Sequence, residues 1–122
     1  MRRVEGAADG APAPILREIT RVAKLIVLYK KPADPAHFDK HFRDVHAPLA
    51  AKMPGLRNYS FGPTSTLDGG EGAFFWMFIG SFDSLKAIND ALASPEGQEV
   101  VADIPNYSPD APTILHLDST DA

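Results

Sequence analysis

With 122 residues, the chain is long enough for one domain that buries a core without covalent staples and too short for two. Its 12 Lys and Arg stand against 16 Asp and Glu, a net charge of -4, and no basic stretch is interleaved with aromatics, which argues against nucleic acid or an anionic membrane as partner. The absence of cysteine excludes thiolate catalysis, disulfides, iron-sulfur clusters and Cys-based zinc sites, and is compatible with a reducing cytoplasm, the expected location.

Residues 1–23 read as a flexible N-terminal extension before a domain expected over 24–118. Arg2 and Arg3 precede Ala, Gly, Pro and Asp rather than the apolar core of a secretory signal, and no apolar run is long enough to span a bilayer. Residues 1–14 have little to bury, so a tail is expected there. The spacing of Ile15, Leu16, Ile19 and Val22 does not decide between a short helix and an extended arm.

The first clear element is 24–30, KLIVLYK, a β-branched and aliphatic strand closed by Pro32. A helix follows, capped by Asp34 and begun by Pro35, with Phe38, Phe42, Val45 and Leu49 at helical spacing. Pro48 disfavours a helical residue before it, so the regular helix is expected to end near His46. After a Pro54-Gly55 turn, Tyr59 and Phe61 alternate with Asn58 and Ser60 in a second strand ended by Gly62-Pro63. The glycine-rich, acidic stretch 68–72 reads as a hairpin loop into 74–79, FFWMFI, the most apolar segment and a central strand. Asp83 is expected to cap a second helix carrying Leu85, Ile88 and Leu92, with Phe82 folding back on its first turn. Ser94-Pro95 opens a third helix through about Ala102, and 113–117, TILHL, is the last strand.

This order, strand, helix, strand, strand, helix, helix, strand, is the ferredoxin-like βαββαβ plan of the α+β class, and right-handed crossovers put the helices on one face. Strands 24–30 and 74–79 are apolar at both odd and even positions, so the other face also wants cover. A homodimer packed sheet to sheet is the simplest partner.

Three of the four histidines lie on or beside the first helix. With Phe38, Phe42 and Val45 facing the core, His41 lies about 60° to one side and His46 about 80° to the other, so both reach a pocket margin without pointing together. His46 reads first as a group that bonds free carbonyls at a helix end and second as a proton carrier. His37 and His41, four apart, have metal-compatible spacing, but no carboxylate completes a recognised motif and no metal is expected. His116 shares a strand face with Ile114 and reads first as a sheet residue. Tyr29, Tyr59 and Trp76 each combine an apolar body with a polar tip, suited to substrate binding or to ordinary packing, and Tyr107 follows Pro105-Asn106 where a loop can cover a pocket. No nucleophile elbow and no dinucleotide fingerprint is present.

Taken in order, residues 25–32 (LIVLYKKP), Phe38, His41-Phe42, His46-Ala47-Pro48-Leu49-Ala50, Met53-Pro54-Gly55-Leu56, Phe82-Asp83-Ser84-Leu85 and Ala93-Ser94-Pro95-Glu96-Gly97 resemble the EthD family, named after a protein linked to bacterial ethyl tert-butyl ether degradation. The resemblance covers 24–118 and implies a dimeric α/β barrel with a small-molecule pocket between sheet and helices; the N-terminal extension departs from the pattern. Relatives in the wider group include cofactor-free monooxygenases, lactone isomerases, polyketide cyclases and haem enzymes. His46 matches the family's recurring histidine, which makes it the expected catalytic acid or base. Tyr29, His41, Tyr59, Trp76 and Tyr107 are the expected substrate-binding residues. The expected activity is oxidoreductase or isomerase chemistry on a small apolar organic ligand with no tightly held cofactor. The alternatives are a non-catalytic binding or accessory protein for a degradative oxidase, and a haem protein with a histidine ligand.

Overall fold

In the computed structural model, which describes residues 20–122, alternation along one central strand decides what is inside. Strand β1 (Thr20–Tyr29) buries Ala23, Leu25, Val27 and Tyr29, while Val22, Ile26 and Leu28 between them stay half-buried on the opposite face. It is followed by α1 (Pro35–His41), a π-helical turn (Phe42–His46) and α2 (Ala47–Ala50), then β2 (Asn58–Pro63) and β3 (Trp76–Phe82). Helices α3 (Leu85–Ala93) and α4 (Pro95–Asp103), a 3-10 turn (Ile104–Asn106) and β4 (Thr113–Asp121) complete the domain. The four strands lie in the order β2-β3-β1-β4, every pair antiparallel. This is the expected ferredoxin-like α+β fold. Among the described residues no helix is long and apolar enough to cross a membrane.

Phe38, Phe42, Ala47, Ile88 and Val100 bring the helical layer onto the buried side of β1 and β3. Tyr29, Phe38, Phe42, Trp76 and Phe82 are its largest fully buried side chains, and their rings meet mostly edge to face, as at 5.2 Å between Tyr29 and Phe38. The opposite sheet face carries Ile26, Leu28, Met77, Ile79, Leu115 and Leu117, and among the described residues no element lies over it.

Several element ends differ from their sequence expectation. Two neighbouring strands extend one another: β1 begins at Thr20 and β4 runs to Asp121 because Thr20–Ala23 and Asp118–Asp121 pair residue for residue, so 20–23 belong to the sheet rather than to a flexible extension. The expected tail over 1–14 lies outside the described residues. β3 begins at Trp76, two residues after the expected start, because Trp76 pairs with Tyr29, the last residue of its partner strand β1. Ser84, not Asp83, caps α3, its hydroxyl accepting from the Ala87 amide at 3.0 Å, while Asp83 pairs with Arg57.

The α3–α4 corner depends on one glycine. Ser94 donates to the Ala91 carbonyl at 2.5 Å and accepts from the Gly97 amide at 3.0 Å, drawing the first turn of α4 against the end of α3. A Cβ at Gly97 would lie 2.0 Å from the Ala91 carbonyl oxygen, so only glycine allows this approach. The direction of α4, and with it the position of its last residue, Asp103, follows from that contact.

Candidate active site

The site is prepared by an irregularity in the first helical segment. Asp34 caps α1 as expected, accepting from the His37 amide at 3.1 Å. The helical path does not stop near His46 but continues to Ala50 through the π turn. Pro48 has no amide to give to the Asp44 carbonyl, and its ring would crowd that oxygen in a regular helix. The wider turn, in which the Ala47 amide donates to Phe42 five residues back, accommodates the proline without breaking the helix. It also moves side chains. Five residues apart on a regular helix, His41 and His46 would diverge by roughly 140°; with an extra residue in the turn they face the same carboxylate.

That carboxylate is Asp103. His41 Nε2 lies 2.9 and 3.0 Å from its two oxygens, His46 Nδ1 lies 3.0 Å from Oδ2, and Asn106 donates to Oδ1 at 2.9 Å. His46 and Asp103 are both buried, and His41 is partly exposed. Burial by itself pushes the Asp103 carboxyl up, but the bonds from Asn106, His41 and His46 outweigh it and hold the group below the ordinary carboxylate range. For His46 burial dominates and lowers its affinity for a proton, against the opposing pull of Asp103. An ionised Asp103 can only accept, so a neutral His46 carries its proton on Nδ1 and leaves Nε2 as a free base. Nε2 has no protein hydrogen-bond partner among the described residues.

His46 lines a cavity of about 70 Å³ between sheet and helices, with walls that include Leu25, Phe78, Met53 and Ile104. The only other polar side chain in its wall is Tyr29, whose hydroxyl lies 2.7 Å from that of Tyr107. Burial pushes Tyr29 up to about 12 and Tyr107 up as well, so both phenols stay neutral. The cavity is smaller than the roughly 300–1,000 Å³ of a drug-sized ligand site. A larger cleft of about 370 Å³ lies under the 68–72 loop, where Lys31 pairs with Glu71 at 2.6 Å, and neither His46 nor Asp103 touches it.

The residues singled out from sequence separate into two groups. His46 and Tyr29 line the cavity, while His41 and Tyr107 stand directly behind them, the Tyr107 ring 4.8 Å from His46 and 5.4 Å from His41. The expectation that His41 and His46 do not point together is corrected by Asp103. Tyr59 is 40 % exposed and stacks on Phe61 of its own strand and on Phe78 of β3, outside the cavity wall. Trp76 packs with Phe38 and Phe42 in the aromatic core, at centroid distances of 5.3 and 5.2 Å, and does not reach the cavity either. His37 bonds the Asn106 carbonyl at 3.0 Å, Asp44 pairs with Lys40, and among the described residues no group of three or more His, Asp or Glu could hold a metal. His116 is exposed on β4 opposite Leu25.

Sequence reasoning missed Asp103 and Asn106. A signal was available: Asp103 follows Gly97 and Val100 at helical spacing on the buried face of α4, and a carboxylate on such a face needs donors.

An uncharacterized 11.0 kDa protein in the thcB-thcC intergenic region of Rhodococcus erythropolis is 34% identical over 95 residues, covering 78% of this chain and 92% of that one. The crystal structure of an ethyl tert-butyl ether d (ethd) family protein from Bacillus halodurans C-125 superposes with a TM-score of 0.74 at 30% identity, over 80% of this chain and 98% of the other. A dimeric ferredoxin-like protein of unknown function from Thermobifida fusca YX has a TM-score of 0.63 at 17% identity, over 88% and 100% of the two chains, a likeness of fold alone. The EthD domain profile matches residues 30–110, and the chain therefore belongs to the EthD domain family.

Proposed function

We propose that this protein is a small-molecule enzyme in which His46 Nε2 takes a proton from an apolar organic substrate. The observation that carries this reading is the Asp103–His46 pair, which leaves one bare imidazole nitrogen at a largely apolar cavity. Asp103 orients the ring and stabilises the imidazolium formed when the proton arrives. If Tyr107 donates to Tyr29, the Tyr29 proton is available to a substrate carbonyl oxygen. Returning the abstracted proton to another carbon completes an isomerisation, and reaction of the carbanion with dioxygen gives the oxidoreductase branch. With about 70 Å³ of space, the cavity takes a small group or one end of a larger ligand, whose remainder lies at the mouth beside the exposed Val101 and Ile114.

A panel of apolar ketones and phenols incubated with the protein in heavy water, followed by mass spectrometry for exchanged or converted products, tests the chemistry. On any substrate found, His46→Asn is expected to keep the fold and lower turnover roughly a hundredfold or more. Unchanged turnover with a lowered melting temperature removes His46 from the chemistry.

The second reading, a binding or accessory protein, is favoured by the near-complete internal pairing of the polar groups around a small apolar cavity. A ligand retained through purification and released unchanged supports it. In either case the uncovered sheet face is read as the contact with a second copy in a homodimer, supported by its apolar composition and by the dimeric ferredoxin-like relative in fold.

A further inference from the structure

His41 is not part of the cavity wall, yet it makes two of the four hydrogen-bond contacts that reach the Asp103 carboxylate. Its ring is wedged in place by several elements. Tyr107 stacks on it at 5.4 Å and 23°, His37 on α1 lies 5.8 Å away between centroids, and Asp103 at the end of α4 receives its Nε2. Asn106, the third donor to Asp103, is itself held through its carbonyl by His37. A carboxylate with donors on both oxygens cannot rotate about its bond without losing contacts, and a rotation would take Oδ2 away from His46 Nδ1. An imidazole free in water prefers its proton on Nε2, so the tautomer with a bare Nε2 predominates here only while Oδ2 stays in place.

We propose that His41 is a positioning residue of the His46 site: by holding Asp103 in the orientation that faces His46 Nδ1, it determines which nitrogen of His46 is left open to the cavity. The proposal rests on the reading of His46 as the base, but concerns a property of the ligand-free protein. His41 has a charge to contribute as well, since a cation there opposes protonation of His46. The groups facing His41 are then Asp103, His37, His46, Asn106 and Tyr107, and of these only Asp103 is an anion.

Long-range proton–nitrogen correlation spectra of the 15N-labelled, ligand-free full chain distinguish bare from protonated ring nitrogens. The wild type is expected to show His46 with Nε2 bare at neutral pH. In His41→Phe, which keeps a ring on Tyr107 and removes the donor, the Nε2-protonated form of His46 is expected to rise about fivefold or more. His41→Gln, which keeps an N–H donor, is expected to restore most of the wild-type tautomer. An unchanged His46 tautomer in His41→Phe overturns the proposal, as does failure of His41→Gln to differ from His41→Phe. Should His41→Phe not fold, His41→Leu, which also removes the donor, is read in its place, and an unchanged His46 tautomer there overturns the proposal equally. The catalytic reading fails separately, on turnover in His46→Asn, and its failure leaves the tautomer result standing.

Discussion

The two faces of the β1–β3 pair are built from the same kinds of residue and end in different environments. On one face Leu25, Val27, Phe78 and Trp76 meet the helices and form a closed core, at whose margin the buried polar groups of the site are satisfied. On the other, Ile26, Leu28, Met77 and Ile79 remain partly accessible and reach β4 through Leu115 and Leu117, which are 48% and 43% exposed. Hydrophobicity alone does not distinguish them. The difference lies in what the intervening chain supplies: among the described residues the right-handed crossovers deliver every helix to one side, and no described element accounts for the composition of the other.

Substitutions sharpen that contrast. The largest effect is expected at Phe42, fully buried among Tyr29, Phe61 and Trp76. Phe42→Ala should destabilise the fold by about 3–5 kcal/mol, read by denaturant unfolding. Ile79→Lys on the other face should leave the monomer folded but abolish association, so that light scattering at micromolar concentration finds a dimer for the wild type and a monomer for the variant. A wild-type monomer would remove the explanation given for the open face.

Acid is expected to act on the closed side first. His46 is held below its ordinary value of 6.5 and Asp103 below 3.8, so for each the unfolded chain binds more protons as pH falls. The stability contributed by each is complete above its unfolded value and lost as pH drops through the folded one. The melting temperature should therefore decline in two limbs, beginning just below pH 6.5 for His46 and below 3.8 for Asp103. His46→Asn should flatten the first limb. The smallest effect is expected at the Ser84 cap, where Ser84→Ala should cost about 1 kcal/mol and leave both faces unaltered.

What could be read directly from sequence was local chemistry: the Asp34 cap, the helix start at Ser94-Pro95, the apolar β1 run, the uncovered face and the order of elements. The convergence of His41 and His46 could not be read because it depends on a π turn, and Pro48 signals only that a regular helix is disfavoured. Asp103 lies 62 and 57 positions from the two histidines, and its approach depends on how closely Gly97 lets α4 pack on α3. Tyr59 and Trp76 were assigned from residue type and alternation. Alternation gives the face of a strand but not the depth beneath it, and one of these side chains is too shallow for the cavity and the other too deep.

Trp76 is the only tryptophan of the chain, fully buried, and its Nε1 has no hydrogen-bond partner among the described residues. An indole that neither meets water nor donates a hydrogen bond should emit at short wavelength in a narrow band. The Arg43 guanidinium, 5.3 Å from the ring, places a nearby charge in its field. The protein thus contains its own optical gauge, one fluorophore at the centre of the aromatic core, whose colour records whether that core is intact without any label being attached.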